Sequence, residues 1–204
     1  MTSLILRLAL LLLGFALLPS VAISPAWGQG EAPHKRRVPP GYVRVAHGEW
    51  DWASRAGHYS PPRWLIDQVD RDLREIQQGL GLRTRGRPVV IYCHDRAEFS
   101  RAVTELGGKS PAAWVQALAF PARAIMVIDG SRNPVGRAET ITHELVHVVL
   151  GMVGDVPRWY HEGLAQWLSG EQPDPKAVTT VNGFAFNDQI ASFRDLERFF
   201  PKTH

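Results

Sequence analysis

A His-Glu-Leu-Val-His segment at residues 143–147 constrains this 204-residue chain more than any other feature. It lies inside a stretch from Arg137 to Gly151 that we predict to be one α-helix. Residues four apart on an α-helix lie one turn apart on the same face, so the imidazoles of His143 and His147 can converge on one metal ion. Glu144 then lies beside the metal ion and not on it. The segment therefore predicts a metal-binding helix.

The predicted metal helix also carries an apolar stripe. At about 100° per residue, the two histidines fall roughly 170° to 210° from the middle of that stripe. We therefore expect the helix to bury one face in a core and to present the opposite face to the metal. The stripe consists of Ala138, Ile141, Leu145, Val148, Val149 and Met152.

A second predicted helix provides a third ligand. Pro157 can open this helix, Gly170 can close it, and Glu162 lies in its first turns. The connection between the helices is short and contains two glycines, so the second helix can fold back and direct Glu162 at the histidines. Asp155 in the connection is the alternative third ligand. Two histidines, one glutamate and a fourth position for water are typical of catalytic zinc, which predicts one zinc ion with Glu144 as general base.

Four further positions near the predicted site can be assigned from helix geometry. Thr140 and Gln166 are candidates for orienting the imidazoles by hydrogen bonds, although each is equally well explained as a helix-surface residue. His161 points about 100° away from Glu162, which predicts that it lies outside the site. Gly163 is expected to allow close approach of the second helix.

The apolar patterns upstream of the metal helix alternate between strands and helices, which predicts an α+β fold class. The predicted strands are Tyr42–Val45, Trp50–Trp52, Pro88–Cys93, Trp114–Phe120 and Ala124–Ile128. One helix is predicted from Pro61 to about Gln78, and another from its N-cap Asp95 to Leu106. Seven tryptophans are expected to support the core.

The HELVH segment, followed after fourteen residues by EGLAQWL, resembles the gluzincin branch of the zinc metallopeptidases, and especially the small peptidase MA-like family. The resemblance covers roughly Val43 to Phe200, and its specific part lies in the HELVH and WYHEGLA segments. It implies a zincin-like arrangement, in which a small mixed sheet packs on the active-site helix. It also implies hydrolysis of peptide bonds in a peptide or protein substrate.

In gluzincins an edge strand of the sheet pairs with the backbone of the substrate. The resemblance assigns this substrate-binding role to the predicted edge segment Ala113–Ala117. Its residues are Ala113, Trp114, Val115, Gln116 and Ala117.

The residues after Glu171 predict only a small C-terminal part. A Pro-rich turn, a short hairpin around Val178 to Phe186 and a helix from about Ser192 to Phe199 are expected, which is a minimal counterpart of the helical lobe that gluzincins carry there. The alternative function is therefore a zinc-stabilised envelope binding or scaffold protein with little or no turnover. The intact general base Glu144 favours the enzyme, because a purely structural zinc site does not need one.

The N-terminus is typical of a secretory signal. Residues 1–28 contain Arg7, an apolar run from Leu8 to Leu18 and small residues before two candidate cleavage points, after Ala22 and after Gly28. Retention as an uncleaved membrane anchor is the alternative. We predict a flexible lead-in at residues 29–41 and one domain at residues 42–204, exported to a periplasmic or extracellular location.

Cysteine usage and charge limit the remaining possibilities. Cys93 is the single cysteine, so the exported protein is expected to lack an internal disulfide, and this residue to be a small buried side chain. The net charge is +3 and charges of both signs are spread along the chain. No basic stripe with interleaved aromatic residues is present, which argues against a nucleic-acid partner.

Overall fold

A five-stranded mixed sheet forms the centre of the computed structural model, which describes residues 38–57, 60–84, 86–131, 137–154 and 156–171. The strands are β1 (Tyr42–His47), β2 (Trp50–Arg55), β3 (Val89–Cys93), β4 (Ala117–Phe120) and β5 (Ile125–Asp129). Their order is β1-β2-β3-β5-β4, so β1 and β4 form the two edges. The strands β2, β3 and β5 run parallel, while each edge strand is antiparallel to its neighbour.

Four α-helices surround the sheet within the described residues. They are α1 (Arg63–Leu80), α2 (Arg96–Glu105), α3 (Arg137–Val153) and α4 (Arg158–Ser169). A short 3-10 turn, Pro121–Arg123, connects β4 to β5. The fold class is α+β, as the sequence predicts. None of the helices in these ranges has a stretch long and apolar enough to cross a membrane.

Two apolar clusters cover the two faces of the sheet. On one face, α1 and α3 pack with Ala165 of α4 against side chains of β2, β3 and β5 such as Trp52, Val90 and Met126. On the other face, α2 packs against Ile91 and its neighbours. The central strands β3 and β5 are buried along their whole lengths, because both of their faces are covered.

The predicted stripe of the metal helix is confirmed from Ile141 to Met152. Ile141, Leu145, Val148 and Val149 are fully buried on the sheet side of α3. Ala138 is exposed, so the buried stripe begins one turn later than predicted. The helix therefore first contacts the core at Ile141, while Ala138 and Glu139 are exposed.

Caps and turns fix the ends of the helices. Asp95 caps α2 as predicted, because its carboxylate accepts a 2.7 Å hydrogen bond from the backbone N–H of Glu98. Gly81 ends α1 and Gly170 ends α4, both in the left-handed conformation that glycine adopts without strain. Gly79, in contrast, lies inside α1 and does not stop it.

The strand predicted at Trp114–Phe120 begins only at Ala117, so the prediction for its first three residues is wrong. The guanidinium of Arg96 explains the difference. It donates hydrogen bonds to the carbonyl oxygens of Pro111, Ala112 and Val115, at 2.9, 2.6 and 2.5 Å. These contacts hold the segment in a turn away from the ladder, and no local sequence pattern reveals them.

Several other predictions concern the core and the termini. Only Trp50 and Trp52 of the described tryptophans are buried core residues, whereas Trp114 is 78% exposed. Cys93 is buried as predicted, and burial raises its pKa to about 12. Val38, at the end of the predicted lead-in, packs against the cluster under α2. The predicted signal segment and the predicted elements after residue 171 lie outside the described residues.

Candidate metal centre

The structure brings together the three predicted metal ligands. His143 and His147 lie one turn apart on α3, with ring centroids 4.9 Å apart, and Glu162 reaches them from α4. One ligand atom of each residue lies within 4.8 Å of the others, and this is the only such group found in the part of the chain that the structure describes. The alternative ligand Asp155 lies outside that part. Among the described residues, Glu162 supplies the carboxylate of this cluster.

The distances within this cluster fit a tetrahedral metal ion. The Glu162 Oε2 atom lies 3.6 Å from the Nε2 atom of His143 and 3.7 Å from that of His147. Ligands about 2.0 to 2.1 Å from a tetrahedral zinc ion are separated from one another by roughly 3.3 to 3.5 Å. The Glu162 oxygen is therefore within a few tenths of an ångström of ligand spacing from each imidazole nitrogen, and the donor set of two imidazoles and one carboxylate suits zinc chemically.

Contacts at the opposite ring nitrogens orient both imidazoles. The Nδ1 atom of His143 lies 3.2 Å from Glu171 Oε2. An ionised carboxylate can only accept, so this Nδ1 donates and the Nε2 lone pair is left for a metal. The Nδ1 atom of His147 lies 3.4 Å from Nδ1 of His161, and the two rings stack at a centroid distance of 5.6 Å. Both Nε2 atoms are thus turned toward Glu162.

Sequence reasoning missed both of these orienting residues. His161 was predicted to lie outside the site, and this prediction is wrong. Helical arithmetic gives the direction of Cβ but not the reach of a long planar side chain, so a residue 100° away still touches the site. Glu171 follows the C-terminal Gly170 of α4, where helical periodicity no longer applies. A carboxylate just beyond a predicted helix end near the metal ligands was the available signal.

The two residues predicted to orient the imidazoles do not do so in the structure. Gln166 is exposed on α4, and its backbone carbonyl accepts from Ser169 while its side chain makes no hydrogen bond with the described residues. Thr140 is half-buried and likewise makes no side-chain hydrogen bond within those ranges. The helix-surface interpretation is therefore the one that fits both residues.

Glu144 connects the metal helix to the edge strand. Its Oε2 atom accepts a 2.7 Å hydrogen bond from the backbone N–H of Ala119 in β4. Burial raises the pKa of Glu144 to about 7, although this hydrogen bond and the nearby His143 act in the opposite direction. A carboxyl group with a pKa near 7 can both accept and return a proton at neutral pH.

The main-chain groups of β4 alternate between its neighbour and the cleft. Asp129 donates to the carbonyl oxygen of Gln116, so the alternate residues Leu118 and Phe120 also face β5. Ala117 and Ala119 then direct their N–H and C=O groups to the outer edge. The N–H of Ala119 points to Glu144, which places this edge beside the candidate metal centre.

The predicted substrate segment overlaps this edge only at Ala117. Ala113 and Trp114 lie in a turn, and Val115 and Gln116 precede the strand. A backbone that adds to the sheet here would therefore pair with Ala117–Phe120 and not with the whole of Ala113–Ala117. The shift follows from the turn at Ala113 and Trp114, which lies among the carbonyl groups that Arg96 binds.

The residues of the cluster shift one another's pKa values. The hydrogen bond to Glu162 raises the pKa of His143, while burial of the ring lowers it by less. Burial lowers the pKa of His147 to about 4, so this ring is neutral at pH 7. The hydrogen bond with His143 lowers the pKa of Glu162 despite its partial burial. The neutral His147 ring and the ionised Glu162 carboxylate are therefore in the protonation states that bind a metal ion at pH 7.

Comparison of the chain with protein-family models, with curated proteins and with solved structures gave no match. The geometry of the site therefore carries the functional argument alone.

Proposed function

We propose that this protein is a zinc-dependent peptidase of the gluzincin type, with a zincin-like fold and a single zinc ion held by His143, His147 and Glu162. The observation that carries the proposal is the convergence of their ligand atoms within 4.8 Å while the Glu144 carboxylate stands between this cluster and the edge of the sheet. A structural zinc site needs four protein ligands and no base, whereas three ligands beside a buried carboxylate suit hydrolysis.

Zinc at this position would supply a Lewis acid that activates water and polarises the carbonyl group of a peptide bond. Glu144 accepts the proton of the attacking water at its carboxylate and returns it to the leaving amine. Glu171 and His161 hold the two imidazoles with their Nε2 atoms directed inward. No covalent bond between the protein and the substrate is required.

The edge of β4 suits the binding of an extended peptide. Ala117 and Ala119 direct main-chain donors and acceptors outward, and a peptide strand can pair with them through backbone hydrogen bonds alone. The N–H of Ala119 is engaged by Glu144 in the structure. Binding of a peptide would exchange this contact for one with the substrate, which releases the base at the moment when it is needed. Export through the N-terminal signal predicted at residues 1–28 completes the proposal and gives access to periplasmic or extracellular proteins.

The change Glu144→Gln tests the proposal directly. The amide oxygen of glutamine can keep the hydrogen bond from Ala119, but glutamine cannot act as a base, so the fold and zinc content should persist. Cleavage of an unfolded protein or a peptide library should fall by about a hundredfold or more. Glu139→Gln, an exposed substitution in the first turn of the same helix, is the matched control and should leave cleavage unchanged.

Two results would contradict the proposal. Equal cleavage by the wild type and Glu144→Gln would show that the activity belongs to another site. Equal inertness of the wild type and both variants toward the whole library, with zinc bound in each, would favour the scaffold function.

A further inference from the structure

A cleft of about 840 Å3 lies away from the candidate metal centre. Its walls come from the Gly48–Glu49 turn between β1 and β2, from the second half of α1, and from residues 81–84, 86 and 87 ahead of β3. None of the three candidate metal ligands or of their orienting partners contributes to its lining. The volume is large enough for a small ligand or a headgroup.

Positive charge dominates the lining of this cleft. Arg74, Arg83 and Arg87 line it together with one acidic residue, Glu49. The carboxylate of Glu49 already accepts a 3.2 Å hydrogen bond from Gln77 Nε2. The charge of Arg87 is paired with Asp51. The guanidinium groups of Arg74 and Arg83 therefore stand against the single carboxylate of Glu49, and an anion entering the cleft meets a net attraction.

The three arginines play different parts. Arg87 is fixed in the wall, since it donates to Asp51 Oδ1 and to the carbonyl oxygen of Gly48, both at 2.6 Å, and to that of Trp50. Arg74 and Arg83 form no ion pair with any residue in the described ranges. These two side chains are exposed and available to a ligand.

Neutral donors complete the lining. Gln77 Nε2 donates to Thr84 Oγ1 over 3.1 Å, so the Thr84 hydroxyl keeps its own proton for a further acceptor. The amide of Gln78 also lines the cleft. Planar guanidinium groups combined with hydroxyl and amide donors suit a phosphate group better than a carboxylate, because a phosphate group offers more acceptor oxygens in a tetrahedral arrangement.

We propose that the cleft lined by Arg74, Arg83 and Thr84 binds a phosphate group, carried either by a soluble phosphate compound or by a phospholipid headgroup. The site is independent of the metal centre and of peptide hydrolysis. Through this site the protein would bind a phosphorylated molecule while the candidate metal centre remains accessible.

Binding of inorganic phosphate, measured by calorimetry at low salt, tests this site. The wild type should bind one phosphate, and the double variant Arg74→Gln/Arg83→Gln should bind at least about tenfold more weakly, because each guanidinium supplies a charge-assisted hydrogen bond. The matched control is Arg71→Gln/Arg101→Gln, which removes the same charge from exposed positions outside the cleft. Phosphate could also bind at zinc, so the titration is repeated in His147→Ala, where the affinity should be unchanged.

Vesicles distinguish the two sources of the phosphate group. Flotation with phosphatidylcholine vesicles that contain about one third phosphatidylglycerol should retain the wild type and the control, but not the Arg74/Arg83 variant, if the ligand is a lipid headgroup. Phosphate binding without vesicle binding would assign the cleft to a soluble compound. Equal losses in the two double variants, equal affinity for acetate and phosphate, or binding to neither phosphate nor vesicles would overturn the proposal.

Discussion

Replacement of Gly151 by alanine tests how tightly the metal helix is joined to the edge strand. An added Cβ at Gly151 would lie 2.5 Å from both the Cβ and the carbonyl oxygen of Pro121, in the turn that follows β4. These atoms belong to a backbone turn and to a proline ring, so they cannot rotate away. Alanine at this position therefore has to push α3 and the turn apart.

The expected change in the free energy of unfolding for Gly151→Ala follows from two opposing effects. Overpacking of this kind costs about 1 to 3 kcal/mol, whereas glycine to alanine inside a helix contributes up to about 1 kcal/mol of stability. We expect Gly151→Ala to lower the free energy of unfolding by about 1 kcal/mol or more. Gly163→Ala in α4 is the control, because a Cβ there meets nothing within 4 Å and should stabilise the protein by roughly 0.5 to 1 kcal/mol.

The assay is urea unfolding of both variants and the wild type, in the presence of a chelator so that metal binding does not add to the stability. The two glycine substitutions should change the midpoint in opposite directions. Gly151→Ala as stable as Gly163→Ala would show that the turn and the helix are not in contact as described. The lack of any close neighbour at Gly163 also makes the sequence-based expectation of a close helix approach there wrong.

Two further predictions concern the orienting contacts and the charged edge of the sheet. Glu171→Ala should weaken zinc binding about 10- to 100-fold in a chelator-competition titration, because His143 loses the carboxylate that orients its ring. The control Gln166→Ala should leave the zinc affinity unchanged, and the reverse order of the two variants would contradict the assignment. Asp51→Asn should lower the free energy of unfolding by about 1 kcal/mol at pH 7. Burial alone would raise the pKa of Asp51, but hydrogen bonds from arginines 87 and 44 outweigh burial and hold this pKa below its usual value. That stability is present above the unfolded pKa of about 3.9 and is lost as the pH falls through the lower folded value. In urea unfolding, the difference between the wild type and the variant should therefore shrink as the pH is lowered below about 3.9, and a difference that does not shrink would refute the linkage.

The part of the site that sequence predicts well is the part set by helical geometry. His143 and His147 share a face of α3 because any α-helix places residues four apart in this way. Glu162 could be found because a short connection limits where the next helix can lie. In each case one local rule decides the outcome, and the tertiary structure does not override it.

The parts that sequence could not predict depend on contacts between distant residues. The segment before β4 is held by Arg96, which lies 21 positions before Ala117 in the sequence and binds the carbonyl groups of Pro111, Ala112 and Val115. The hydrogen bond between Glu144 and Ala119 has the same character, since it joins a helix to a strand 25 residues away. No periodicity in either segment encodes such a contact.

The same distinction between local rules and contacts of distant residues applies to the fold. The buried faces of α1 and of the central strands match the apolar patterns, because a single face or a continuous run has to be covered. The exposure of Trp114 does not follow from its residue type, which is usually largely buried. Its turn is held by Arg96, and the side chain consequently points into solvent.

The zinc content of the purified protein, measured by mass spectrometry after reconstitution and dialysis, tests the central claim most directly. The wild type and the control His94→Ala should each hold about one zinc ion per chain, whereas His147→Ala and Glu162→Ala should hold almost none, because a three-ligand protein site loses most of its affinity with any one ligand. A wild type that holds no zinc, or zinc retained equally by His147→Ala and Glu162→Ala, would contradict the account.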